Sequence, residues 1–214
     1  MPRELSHESV QDFRAKVGEA AAALYAGGGE SAITMREIAR VIGSSPMGLY
    51  RYFRDRDEII SYLRTNAFNR FALALETAFA KGGDPFARAR AVGRAYLDFA
   101  LEHPDAYRLM FDLSQPNEQG NDELAKASAR AARTVTRHVD DLRAAGIISG
   151  DSKEIGRALW AAAHGVIVLY LAGRLPKGTD VRDLYFETMS LTFRGARAPS
   201  SKIQSLPHTK RSSK

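Results

Sequence analysis

From Ser6 to Arg194 the apolar positions recur every three or four residues, and no alternating run suited to a half-buried strand interrupts them. The predicted fold class is therefore all-α. Ser9 with Asp12 marks a first helix start, and Val10, Phe13, Val17, Ala20, Ala21, Leu24 and Tyr25 recur on one face. Gly27-Gly28-Gly29 ends this helix, because glycine enters the left-handed cap conformation without a Cβ penalty. Thr34 and Glu37 are spaced as a capping box and open a second helix through Ile42, which Gly43 closes. Ser45 and Pro46 open a short third helix to about Phe53, with serine as the cap and proline at the first helical position.

Longer helices follow. Asp55 or Asp57 starts one that carries Ile59, Ile60, Leu63, Phe68, Phe71 and Leu75 towards Gly82-Gly83. Asp84-Pro85 starts the next, with Val92, Tyr96, Leu97, Phe99 and Ala100, and the chain breaks and restarts at Pro104. Ser114–Asn121 is a run of turn formers. Three more helices are expected: about Glu123 to Ala145, Asp151 or Ser152 to before Pro176, and about Asp180 to Phe193. The pattern predicts a three-helix N-terminal domain at 1–55 and a bundle of about six helices at 56–196. The Ser/Pro/Lys-rich tail at 197–214 has few apolar anchors and is expected to be disordered.

Composition narrows the chemistry. The chain has 214 residues, 44% hydrophobic and 26% charged, as ordinary globular proteins have. It has no cysteine, which removes disulfides, thiolate zinc sites and cysteine nucleophiles and fits the cytoplasm. The N-terminus lacks an apolar signal core. The longest apolar run, Ala158 to Ala172, falls short of a membrane span and holds His164 and Gly165, so it is expected to be a buried helix rather than a membrane segment. The net charge of +6 invites a nucleic-acid partner, but its location tempers that. Residues 1–60 carry eight Lys/Arg against nine Asp/Glu, 61–196 carry eighteen against sixteen, and 197–214 carry five against none. The excess lies in the tail, so any electrostatic attraction in the folded part is local.

A helix of eight or nine residues, a glycine turn and a second short helix make a helix-turn-helix. In its DNA-binding form the N-terminal side chains of the second helix reach base edges. Those side chains here are Ser45, Pro46, Met47 and Gly48. Hydroxyls bond bases or phosphates, and Met47 suits a thymine methyl. Arg36, Tyr50, Arg51, Tyr52, Arg54 and Arg56 are placed to contact phosphates. Leu49 and Phe53 have the periodicity of core residues, while Tyr50 and Tyr52 fit core or contact equally.

The segment "TMREIARVIGSSPMGLYRYFRDRDEII" (Thr34–Ile60) resembles the helix-turn-helix of the TetR family of bacterial transcriptional regulators. The resemblance makes Ser45–Phe53 the recognition helix. It assigns Thr34, Arg36, Tyr50, Tyr52 and Arg56 to phosphates, and Ser44, Ser45, Pro46, Met47 and Gly48 to the neighbourhood of the bases. Three positions depart from the family pattern: Ser44 where an apolar residue is common, Met47-Gly48, and Tyr52 where histidine is frequent. They bear on which bases are read.

Further along, "HPDAYRLMF" (His103–Phe111) and the pattern of Trp160, His164 and Gly165 resemble one C-terminal domain subtype of that family. In Glu154–Arg174, Leu159, Ala163, Val166 and Tyr170 share one face, and Trp160, His164, Ile167 and Leu171 share another. A helix apolar on most sides must be buried on most sides, one face inside its own bundle and the other against a partner. The resemblance implies a homodimer through the last two helices, double-stranded DNA as partner and a small-molecule effector, and the aromatic mixture of the candidate pocket residues suggests an apolar or aromatic one. Candidate pocket residues are Tyr96, Phe99, Tyr107, Met110, Phe111, Trp160 and His164, although such stripes also build core.

An enzyme is not indicated. The chain lacks GxSxG, a phosphate-binding glycine motif ending in Lys-Ser/Thr, and HExxH. His103, His138 and His164 have no paired-ligand spacing, so no metal and no cofactor is implied. The expected function is a ligand-responsive repressor on a palindromic operator. The rivals are a helical binding module that does not use DNA, and an enzyme built in the bundle cavity.

Overall fold

The computed structural model describes residues 7–111 and 121–197. The predicted loop at 114–121 lies outside the described residues except for Asn121, and so does the tail from residue 198 onward. Among the described residues all regular structure is helical. The helices are α1 (His7–Gly28), α2 (Met35–Ile42), α3 (Pro46–Leu49), α4 (Arg56–Ala80), α5 (Pro85–Glu102), α6 (Pro104–Met110), α7 (Asp122–Ala144), α8 (Ser152–Leu171) and α9 (Val181–Arg197), with a 3-10 turn at Glu30–Ala32.

The helix starts follow side-chain caps, since the first N–H groups of a helix have no partner within it. Thr34 Oγ1 accepts the Glu37 N–H, Ser45 Oγ that of Gly48, Asp55 that of Glu58 and Asp84 that of Ala87. Asp151 Oδ1 accepts from both Lys153 and Glu154. The capping box at Thr34 is half formed, because the Glu37 carboxylate pairs with Arg40 at 2.8 Å.

The chain divides into two compact units, one through His138 and one from Val139. In the first, α1, α2, α3 and the start of α4 enclose a core of Val17, Ala21, Ile33, Ile38, Leu49, Phe53, Ile59 and Ile60, all nearly inaccessible. Leu109 of α6 joins the same cluster. Burying aliphatic side chains of this size contributes about 1.5–3 kcal/mol each. Further along, α4 packs against α5 and α6. Arg130 of α7 reaches back to Glu76 of α4, with Nε donating at 2.9 Å.

In the second unit α8 packs along α9, and Val139, Leu142, Ile148, Ala163, Val166, Ile167, Val181 and Tyr185 are buried. Two sequence expectations change. The last helix runs on past Phe193 to Arg197. And α8, expected to be a buried helix, is covered only in part within the single chain: its buried residues are Gly156, Ala163, Val166 and Ile167, while Trp160, Val168, Leu169 and Tyr170 stay exposed. Its twenty residues are long and apolar enough to cross a membrane by length and composition. The run from Ala158 concealed this, because the helix begins six residues earlier at Ser152.

Candidate nucleic-acid interface

Between α2 and α3 the chain must turn within three residues, and Gly43 makes that possible. It sits at φ 68°, ψ 37°, the left-handed region that β-carbons disfavour. The Ser44 N–H then bonds the Ala39 carbonyl at 2.9 Å, closing a Schellman turn. Ser45 is extended, caps α3 and launches Pro46 at its first position.

α3 is a single turn, Pro46–Leu49, shorter than the predicted helix to Phe53. The N–H groups of Tyr52 and Phe53 both converge on the Leu49 carbonyl, at 2.9 and 3.0 Å, so the chain leaves the helix through a turn. Leu49 and Phe53 point into the core, as their periodicity requires. Ser45, Pro46 and Met47 are exposed, Met47 to 75%, while Ser44 and Gly48 are partly covered. A Cβ on Gly48 would stand 2.8 Å from Ser44 Oγ and 3.4 Å from Ser45 Oγ.

The flanking residues divide into two groups. Thr34, Arg36, Tyr50 and Arg51 are exposed, Tyr50 to 52%. Arg36 and Arg51 form no ion pair among the described residues. Arg40 and Arg54 are exposed but paired, with Glu37 and Asp55. The Arg54 hydrogen bond holds the Asp55 carboxyl below its ordinary range.

Tyr52 and Arg56 are held by the fold. Tyr52 stacks on Phe13 of α1, centroids 4.1 Å apart, which places its ring against the core. Arg56 donates to the Ile33 carbonyl at 2.7 Å, and to the Glu30 carbonyl and carboxylate at 2.8 and 2.7 Å. Its guanidinium fastens the 3-10 turn to the start of α4, whereas the sequence suggested a phosphate contact.

The pocket candidates also separate. Tyr96, Phe99, Tyr107 and Met110 are buried in the first unit. Phe71 meets Tyr96 and Phe99 edge-on at 5.1 and 5.2 Å, and Tyr107 meets Phe111 at 5.0 Å. The Tyr96 and Tyr107 hydroxyls bond each other at 2.9 Å. These interlocking rings form core. Trp160 and His164 belong to the second unit, one turn apart on α8, where burial lowers the imidazole pKa from its ordinary value. None of these seven residues lines the cleft of about 410 Å³ found in the first unit, which lies among α1, α4 and α6. Its walls include Ala15, Gly18, Tyr25, Tyr62, Asn66 and Leu109.

Sequence reasoning missed that cleft, and it missed Arg14 of α1, whose Nη1 donates to the Tyr52 carbonyl at 2.6 Å. No local spacing signals a contact across 38 positions. Among the described residues no group of three or more His, Asp or Glu side chains forms a metal site.

Two family models match the chain. One, described as "Bacterial regulatory proteins, tetR family", matches residues 19–63, and the other, "Tetracyclin repressor-like, C-terminal domain", matches 89–193. No curated protein sequence matches. Among solved structures, a protein of unknown function from Rhodococcus sp. RHA1 is 27% identical, with a TM-score of 0.77 over 92% of this chain and 100% of that one. A TetR family transcription regulator from Marinobacter aquaeolei VT8 (20% identical, TM-score 0.66, 87% and 96% covered) shares the fold. So does the TetR family regulator PfmR from Thermus thermophilus (20% identical, TM-score 0.64, 83% and 97% covered).

Proposed function

Because this chain belongs to the TetR family of bacterial transcriptional regulators and is a DNA-binding regulator, we propose that it acts as a homodimeric repressor released by a small molecule. In this reading residues 1–55 read DNA and 56–196 dimerise, and the effector cleft is shared between α1 of the first part and α4 and α6 of the second. Ser44 to Gly48 face the bases, with Thr34, Arg36, Tyr50 and Arg51 on phosphates. Its place is the cytoplasm, with the DNA it reads.

The observation that carries the dimer is the apolar surface of the last two helices. Trp160, Val168, Leu169 and Tyr170 on α8, with Phe186 and Leu191 on α9, are exposed in the single chain, Leu191 to 57%. A surface of this kind on a globular protein marks an interaction site. A second copy covers it with the same surface, as a two-fold interface requires. Two-fold symmetry also presents two reading helices to half-sites about 34 Å apart on one face of DNA. This accounts for the length and hydropathy of α8 without a membrane.

The effector must bind one conformation better than the other to shift DNA affinity. We assign it to the α1–α4–α6 cleft, whose lining is largely apolar. The likeness of residues 89–193 to a repressor's C-terminal domain supports the sign of the response.

The test is sedimentation and mobility shift with the chain's own upstream DNA. A dimer, a salt-sensitive specific complex on a two-fold site, and loss of both in Leu169→Glu/Leu191→Glu are the expected results. A monomer that binds a single half-site specifically would remove the dimer and leave the DNA-reading assignment standing.

A further inference from the structure

A one-turn helix cannot hold its own orientation, because isolated helices of that length are not stable. The pose of α3 is therefore set by Leu49, which is buried in the core, and by what holds the chain at its two ends. The Schellman turn at Gly43 and the Ser45 cap hold the first end. The turn that follows its second end is gripped at Tyr52–Arg54 by an ion pair reaching in from two other helices.

Arg14 of α1 and Glu58 of α4 stand 44 positions apart and meet at 3.2 Å, with Nη1 and Nη2 both donating to Oε1. The same Arg14 Nη1 donates to the Tyr52 carbonyl at 2.6 Å. The other Glu58 oxygen, Oε2, accepts the backbone N–H of Arg54 at 2.7 Å. Between those two peptide groups lies Phe53, and the Arg14 guanidinium sits 4.2 Å from its ring centroid. Three consecutive residues are thus held by carbonyl, ring and amide through one charge pair. Both side chains are mostly covered, Arg14 being 22% exposed and Glu58 29%. Screening therefore weakens this pair less than the exposed pairs of the same domain.

We propose that Arg14 and Glu58 form a clip that sets the sequence specificity of DNA reading without touching DNA. The proposal rests on the assignment of Ser44 to Gly48 to the bases. Base contacts depend on narrow distances and angles, whereas phosphate contacts position the protein and tolerate displacement. A loosened clip lets α3 tilt, so specific binding weakens while nonspecific binding stays.

Three properties of Arg14→Gln, Arg14→Lys and Glu58→Gln decide this: affinity for the specific site, affinity for unrelated DNA, and the slope of log affinity against log salt. In Arg14→Gln the specific-to-nonspecific ratio should fall about tenfold or more, the size of one charge-assisted hydrogen bond, with the salt slope unchanged. Arg14→Lys keeps the charge but not the planar fork, so it should recover only part of the ratio. Full recovery by lysine would mean that charge alone matters, and a slope reduced by about one ion on all DNA would make Arg14 a phosphate contact. Either result overturns the clip. If Arg14→Gln lowers the melting temperature enough to unfold the head, Glu58→Gln is scored instead, and an unchanged ratio there overturns it equally. Wild-type protein with no specific site on any upstream DNA would instead remove the DNA-reading assignment itself.

Discussion

Gly18 of α1 and Tyr62 of α4 are in such close contact that a Cβ on Gly18 would stand 2.8 Å from Tyr62 Cε1. Withdrawal of the ring would disturb its edge-on contact with Phe53 at 5.6 Å and its contact with the Arg14 guanidinium, 5.3 Å from its centroid. Two effects oppose each other in Gly18→Ala. Helix propensity favours alanine by about 1 kcal/mol, and overpacking costs about 1–3 kcal/mol. We expect overpacking to win, giving a net loss of stability in denaturant titration. A gain would show that Tyr62 moves freely.

The residues of the reading segment should separate by what they lose. Ser45→Ala removes the α3 cap and should cost about 1 kcal/mol of stability together with specific binding. Met47→Ala and Tyr50→Ala alter largely exposed side chains, so stability should stay within about 0.5 kcal/mol. Met47→Ala should change base preference, and Tyr50→Ala should weaken binding on all sequences alike. Binding measured on a panel of base-substituted sites checks this. Parallel losses for both variants across the panel would contradict the division between base and phosphate contacts.

Most of the helical layout was legible in the sequence because its punctuation is local. Ser45, Asp55, Asp84 and Asp151 each cap the helix that follows them, within three residues. What was not legible depends on distance in the chain. Arg56 looks like a phosphate ligand by position, but Glu30 and the Ile33 carbonyl, 26 and 23 residues away, take its guanidinium. Tyr96 and Tyr107 look like pocket walls by type. Only the structure shows how Phe71, Phe99 and Phe111 pack against these rings and each other. The exposure of α8 was hidden for a similar reason, since periodicity records which residues are apolar and not what covers them.

Acid should weaken the contact between α4 and α7. Hydrogen bonding to Arg130, helped by its positive charge, lowers the Glu76 pKa below the ordinary glutamate value of 4.5. A carboxylate with a depressed folded pKa contributes stability that is full above its unfolded value and is lost as pH falls through the folded one. The wild-type melting temperature should therefore drop below about pH 4.5, and Glu76→Gln should flatten part of that drop while lowering stability at pH 7. Both side chains are more than a third exposed, so the effect is modest and shrinks in high salt. Identical pH profiles for wild type and Glu76→Gln would assign the acid sensitivity to other carboxylates.

Arg36 and Arg56, both assigned to phosphates by the sequence, should respond in opposite ways. Arg36 is exposed and forms no ion pair among the described residues, so Arg36→Gln removes a charge available to phosphate. It should leave the melting temperature unchanged and reduce the salt slope of binding by about one ion. Arg56 is bound to two carbonyls and the Glu30 carboxylate, and its side chain is about a third exposed. Arg56→Gln leaves those acceptors without a charged donor, at a cost of about 1–3 kcal/mol. The head should melt earlier, while the salt slope measured below that temperature stays at the wild-type value. A reduced slope with unchanged melting in Arg56→Gln would show that the guanidinium leaves the 3-10 turn to meet DNA, as the sequence first suggested.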